Sequence, residues 1–227
     1  MVVIGEAISQ PVVHEFAGYS WIVKTAEAGT MPGPNYFSDS TESVWVDDDG
    51  LHLTLRHDEN RWLASEVICR ERFGYGRYVF ALEGRIDQLP APAVFGIFTW
   101  DTNPEAHHRE IDIEFSQWGT EYLPNGQYVV QPHTIEGNRH RFEFSLSGTY
   151  STHVITWLPE RVEFASYHGH GYPDFTEEDL ISTWVYEGNV PRPGRERVRL
   201  NFWLYQGQEP EGEGIYEVTL RDFRYIQ

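Results

Sequence analysis

Glu110-Ile111-Asp112-Ile113-Glu114-Phe115 alternates an acid with an apolar residue at every step. A period of two marks a β-strand, because successive side chains leave opposite faces of the pleat. Ile111, Ile113 and Phe115 then face a core, while Glu110, Asp112 and Glu114 share the other face. Three carboxylates in a row repel one another, and a structural surface strand would interleave Lys, Thr or Ser. Tolerated repulsion points to a function for the acids. Taken alone, the motif reads equally well as an acidic, solvated face.

The same period continues outward from this strand. Ser43 to Val46 and Leu51 to His57 read as the arms of a hairpin turned by Asp47-Asp48-Asp49-Gly50, where Gly supplies the positive φ. Trp62 to Arg70, Tyr75 to Ile86 and Ala93 to Trp100 precede the acidic strand. Gln127 to Gln131, Arg139 to Ser147, Thr152 to Trp157, Arg161 to Tyr167, Arg197 to Tyr205 and Ile215 to Tyr225 follow it. Only Glu177 to Thr183 reads as helical. With no internal repeat and no linker, residues 1–227 are expected to form one all-β domain, a two-sheet antiparallel β-sandwich.

Bulk composition narrows the function. Hydrophobic residues at 40% and charged residues at 23% suit a soluble globular chain. Aromatics reach 15%, with 8 Trp and 13 Tyr, enough for stacking surfaces as well as core. The net charge of −18 repels phosphate backbones, so nucleic acid is not an expected partner. It also disfavours sulfated or uronic polysaccharides, whereas neutral sugars feel no such repulsion. The single cysteine, Cys69, excludes an intramolecular disulfide and a thiolate metal cluster, and its place in an apolar strand makes it buried and inert. No apolar run reaches the roughly 20 residues that span a bilayer, so no membrane partner is expected. No ligand spacing of the His-Glu-x-x-His kind occurs among the ten His, so no metal site is expected, and His107-His108 and His168-Gly169-His170 read as loop residues.

In Arg197 to Tyr205, Val198, Leu200, Phe202 and Leu204 form one face and Arg199, Asn201, Trp203 and Tyr205 the other. A face both polar and aromatic suits a sugar groove. The acidic strand fits a matching reaction. Glu110 and Glu114 lie roughly 13 Å apart at Cα in a strand, and inward-leaning side chains on a curved sheet bring the carboxyl groups to about the 5 Å that a retaining glycosidase uses.

His108-Arg109-Glu110-Ile111-Asp112-Ile113-Glu114-Phe115 resembles the active-site strand of glycoside hydrolase family 16, whose relatives include lichenases, laminarinases and xyloglucan enzymes. Further matches follow in order: Phe73-Gly74-Tyr75-Gly76-Arg77-Tyr78, Glu66, Asn35 in Gly33-Pro34-Asn35-Tyr36-Phe37, Asn201-Phe202-Trp203, and Thr156-Trp157. The resemblance spans about Tyr19 to Tyr225. It implies a concanavalin A-like jelly roll with a concave substrate cleft and no catalytic cofactor. It also implies that Glu110 is the nucleophile, Asp112 its assistant and Glu114 the acid/base, with Asn35, Glu66, Asn201 and Trp203 holding sugar rings. Trp100 at a strand end is either cleft edge or core, and Trp118 either caps a subsite or braces a loop. Gln131, where the family has a cleft Tyr, is counted among the substrate contacts; Ile68 replaces a cleft Arg, and Arg109 and His108 replace the usual Asp and Trp. Asp222 resembles a position that helps hold a structural calcium in some members.

The expected activity is a retaining endo-β-glucanase acting on β-1,3/β-1,4-linked neutral polysaccharide. A transglycosylase and a non-catalytic lectin on the same sandwich are the rivals, and the lectin would have lost a catalytic Glu. A monomer is expected. A polysaccharide substrate points to a secreted or periplasmic location, while Met1 to Gln10 shows no basic n-region or long apolar h-region, which leaves the cytoplasm open.

Overall fold

A computed structural model describes residues 10–120, 124–212 and 214–227. Met1 to Ser9, most of the stretch read for a signal peptide, lie outside them. Among the described residues, seventeen strands run β1 Val13–Phe16, β2 Tyr19–Val23, β3 Ala26–Thr30, β4 Asn35–Phe37, β5 Val44–Asp47, β6 Gly50–Asp58, β7 Arg61–Cys69, β8 Gly76–Glu83 and β9 Ala93–Trp100. They continue as β10 Ile111–Phe115, β11 Gly126–Val130, β12 Arg139–Phe142, β13 Tyr150–Trp157, β14 Val162–His168, β15 Leu180–Tyr186, β16 Arg197–Leu204 and β17 Ile215–Ile226.

One sheet has the order β1-β2-β7-β16-β9-β10-β11-β12, antiparallel throughout. The second has β5-β6-β17-β8-β13-β14-β15, also antiparallel. β7 joins them: Arg61, Trp62 and Leu63 pair with β6, and Ser65 to Cys69 pair with β16 and β2. This is the expected antiparallel sandwich. The alternation also holds, since Ile111, Ile113, Phe115, Phe95, Ile97, Leu200 and Phe202 are fully buried between the layers. They meet Phe80, Leu82, Trp157, Phe164, Leu220 and Phe223 of the second sheet in one core. Cys69 is buried, and that burial pushes its thiol pKa upward.

The β5–β6 hairpin forms as read, with Asp47 opposite Gly50 and the Asp49 N–H held by the Asp47 carboxylate at 2.8 Å. Gly50 has φ +145°, and a Cβ there would lie 2.4 Å from the Leu220 carbonyl oxygen. Gly50→Ala is therefore expected to cost about 2 kcal/mol or more, read as a lower urea midpoint with an unchanged slope.

Two expectations about the elements are corrected. Glu177 to Thr183 is not a helix: a single 3-10 turn, Glu177–Asp179, carries a Thr176/Asp179 capping box and then enters β15. Ile181, Thr183, Trp184 and Val185 are β-branched or aromatic, and pairing with β14 decides in favour of the strand. Arg139 to Ser147 is a strand only to Phe142, because side chains then take over the backbone: Phe144 N–H donates to Asn125 and Leu146 N–H to Asp87. The hairpin β1–β2 was not anticipated; Ala17 and Gly18, both at positive φ, turn it.

Candidate active site

β10 places its acids as the alternation requires, and the register brings partners to them. Glu114 faces Gln127 of β11 on one side and Gly96 of β9 on the other. Beyond Gly96 the same lateral row continues to Asn201 of β16 and Glu66 of β7. Asp112 lies in the next row, with Phe98 and Arg199. A cleft of about 470 Å³ opens over these rows, lined by Glu110, Asp112, Glu114, Glu66, Asn201, Trp203, Trp100, Arg199, His108, Lys24, Met31, Pro32, Phe98 and Gly96. Gly96 leaves the floor open, since a Cβ there would lie 2.6 Å from Asn201 Oδ1. That Oδ1 is buried without a partner, ready to accept a hydrogen bond from a hydroxyl in the cleft.

The acids hold protons unusually well. Burial pushes Glu110 up to about 7, helped by the charge of Glu114 and opposed by a hydrogen bond from Asp112. Asp112, 3% exposed, stands well above the carboxylate range through burial and then the charges of Glu110 and Glu114. It is therefore the group that donates to Glu110. Burial also raises Glu114, while Gln127 Nε2 (2.5 Å) and the charges of Arg141 and Arg139 pull it back. These three titrate together.

Glu66, 1% exposed, accepts from Lys24 Nζ at 2.7 Å and Arg199 Nη1 at 2.8 Å, so it fixes two cations at the cleft wall. Trp100 belongs to the cleft: His108 stacks on it at 4.9 Å and the Arg199 guanidinium lies 4.3 Å from its ring. Trp203 lines the cleft as expected. Asn35 does not. It is 4% exposed and binds backbone, donating to the Pro32 and Leu204 carbonyls and accepting from Leu204 N–H, so it braces the Met31–Pro32 segment that forms the wall. Gln131 acts on an acid rather than lining the cleft: its Nε2 donates to Asp112 at 3.0 Å. Trp118 is outside the cleft, with the Arg141 guanidinium 4.7 Å over its ring.

His108 and Arg199 were not among the expected site residues. His108 is no simple loop residue. His107, His108 and Arg109 take three consecutive left-handed conformations, φ 47°, 59° and 51°. The Arg109–Asp101 ion pair, Asp101 N–H to His108 O (2.7 Å) and Thr99 Oγ1 to Arg109 O (2.8 Å) hold this strap. His108 Nδ1 meets the Asp101 carbonyl at 2.9 Å and must donate, which leaves Nε2 as an acceptor in the neutral ring. No sequence signal announces such a backbone. Arg199 was legible by its parity with Asn201 and Trp203. It stands opposite Ile68, so the neighbouring strand supplies the guanidinium that position 68 lacks.

Asp222, at the position that resembles a calcium ligand, pairs with an arginine. The Asp222 carboxylate accepts from Arg224 Nε at 3.0 Å, and no group of three His, Cys, Asp or Glu side chains able to hold a metal converges among the described residues.

No family model and no curated protein matches the chain. Solved structures do. A β-glucanase of Bacillus licheniformis superposes with a TM-score of 0.66 at 16% identity, over 97% of this chain and all (100%) of that one. A Mycobacterium tuberculosis protein described as an immunostimulatory antigen and pseudo β-1,3-glucanase gives 0.67 at 18% identity, over 91% of this chain and 90% of that chain. A prokaryotic β-1,3-1,4-glucanase (lichenase) from a mouse hindgut metagenome gives 0.64 at 16% identity, over 91% and 92%. The chain thus has the jelly-roll fold of the β-glucanases, the architecture that its acidic strand resembled.

Proposed function

We propose that this protein is a retaining endo-β-glucanase. The observation that carries the reading is the placement of Glu110, Asp112 and Glu114 on one face of β10, all holding protons above the ordinary carboxylate range, under a cleft walled by Trp100, Trp203, Asn201 and Glu66. The β-glucanase fold of the chain supports it. Glu110, ionised, attacks the anomeric carbon as Glu114 protonates the departing glycosidic oxygen, which gives a glycosyl ester on Glu110. Glu114, now a carboxylate, removes a proton from water; the water attacks the same carbon and releases Glu110. Two inversions retain the β configuration. Asp112 donates to Glu110 and is aimed by Gln131. The reaction needs no cofactor, and a monomer suffices, because every group named comes from one chain. A polymeric substrate favours a secreted or periplasmic location over the cytoplasm.

A neighbour described as a pseudo-glucanase shows that the fold alone does not secure turnover. The intact acids favour catalysis here over a lectin. Reducing-sugar release from a panel of β-1,3- and β-1,3-1,4-glucans, with proton NMR of the first anomer formed, tests the reading. Release with the β-anomer first is expected. An α-anomer first excludes retention, and binding without release leaves a lectin.

A further inference from the structure

We propose that the cleft takes a glycan bearing fixed negative charge, a carboxylate or a sulfate ester, on the sugar that lies over its Trp100 end. This rests on the glucanase reading and departs from the neutral substrate that net charge led us to expect.

The chain has 35 acidic and 17 basic residues, yet one end of the cleft inverts that balance. Arg197 of β16 pairs with Trp100 of β9. Arg199 pairs with Ile68 of β7, and the same antiparallel register carried two residues further sets Arg197 beside Arg70. The Arg70 N–H donates to the Ser20 carbonyl at 2.9 Å, which anchors it at the sheet's continuation. Parity then puts Glu110, Trp100, Arg197 and Arg70 in one row on the cleft face, with Arg199 in the next.

Among the described residues, no carboxylate lies within 4.0 Å of the guanidinium of Arg70, Arg72 or Arg197, whereas Arg199 has Glu66 at 2.8 Å. Arg199 Nε is buried with no partner. Arg197 is half-buried, and its pKa is depressed by that burial and then by the charges of Arg72, Arg199 and Arg70. Like charges gathered at a partly buried place without a counter-ion are unfavourable, and an anion bound there relieves both the repulsion and the unmet donors. The guanidinium fork matches the geometry of a carboxylate or sulfate. Net charge summed over the molecule conceals this local grouping of arginines.

The test uses the full chain carrying Glu110→Gln, which keeps every arginine and does not consume the ligand. Its affinity is measured by calorimetry, at low and high salt, for β-1,3-glucan oligosaccharides that are unmodified, carboxymethylated or sulfated. The charged oligosaccharides are expected to bind about tenfold or more tightly than the unmodified one at low salt, with the preference shrinking as salt rises. The tighter of the two charged forms identifies the natural anion as carboxylate or sulfate. Adding Arg197→Gln or, at the exposed edge, Arg70→Gln should remove the preference and leave the unmodified affinity alone; Arg161→Gln, on the other sheet, should not. Equal affinity for charged and unmodified oligosaccharides overturns the inference, as does a preference that survives both arginine substitutions. Binding of none of the three brings down the glucanase reading beneath it.

Discussion

Glu110→Gln is expected to lower kcat on β-glucan by about four orders of magnitude or more, since no other group can form the glycosyl ester. The protein should remain folded and become more stable near neutral pH. A carboxyl whose folded pKa is raised to about 7 from an ordinary 4.5 favours folding less as pH climbs between those values, because the native state holds the proton longer. The amide cannot ionise, so it removes that loss above pH 7, on the order of 1 kcal/mol once solvent screening is allowed for. Urea unfolding at pH 5 and pH 8 checks the sign: the wild type should weaken on going to pH 8 more than the variant. The same ionisation governs rate. Glu110 must be a carboxylate to attack, so kcat/KM should rise through about pH 7 on its acid limb. A limb centred near pH 4.5 would mean that the site is far wetter than the structure shows.

Glu114→Gln is expected to separate the two chemical roles. On glucan, where the departing sugar oxygen needs a proton, the rate should fall by about 10²–10⁴. On an aryl β-glucoside oligomer with a good leaving group, the first step should persist and the glycosyl ester accumulate as a burst. Azide should then restore turnover and yield a β-glycosyl azide, because an anionic nucleophile attacks the glycosyl ester without a general base. Gly96 keeps that side of Glu114 free of a side chain. If the roles were reversed, azide would give the β-azide with the Glu110 variant and the α-azide with the Glu114 variant.

Sequence by itself determined the strand and the side of it on which chemistry happens. Strict alternation from Glu110 to Phe115 permits only one face for the acids once Ile111, Ile113 and Phe115 are buried. The same rule exposed Asn201 and Trp203 to the cleft, and it set Arg199 on that face with them. Periodicity is a local property, and it survives folding because the pleat is local.

Tertiary structure alone decided everything that depends on which strands lie side by side. Trp100 reached the cleft because β9 pairs with both β10 and β16. Asn35 left it because its amide satisfies backbone 169 residues away at Leu204. His108 entered through three left-handed residues that no propensity favours and that the Arg109–Asp101 pair holds in place. The gathering of Arg70, Arg197 and Arg199, from strands far apart in the chain, is likewise invisible to composition: a net charge sums over the whole molecule, whereas an electrostatic site depends on distances that only the register of the sheet sets.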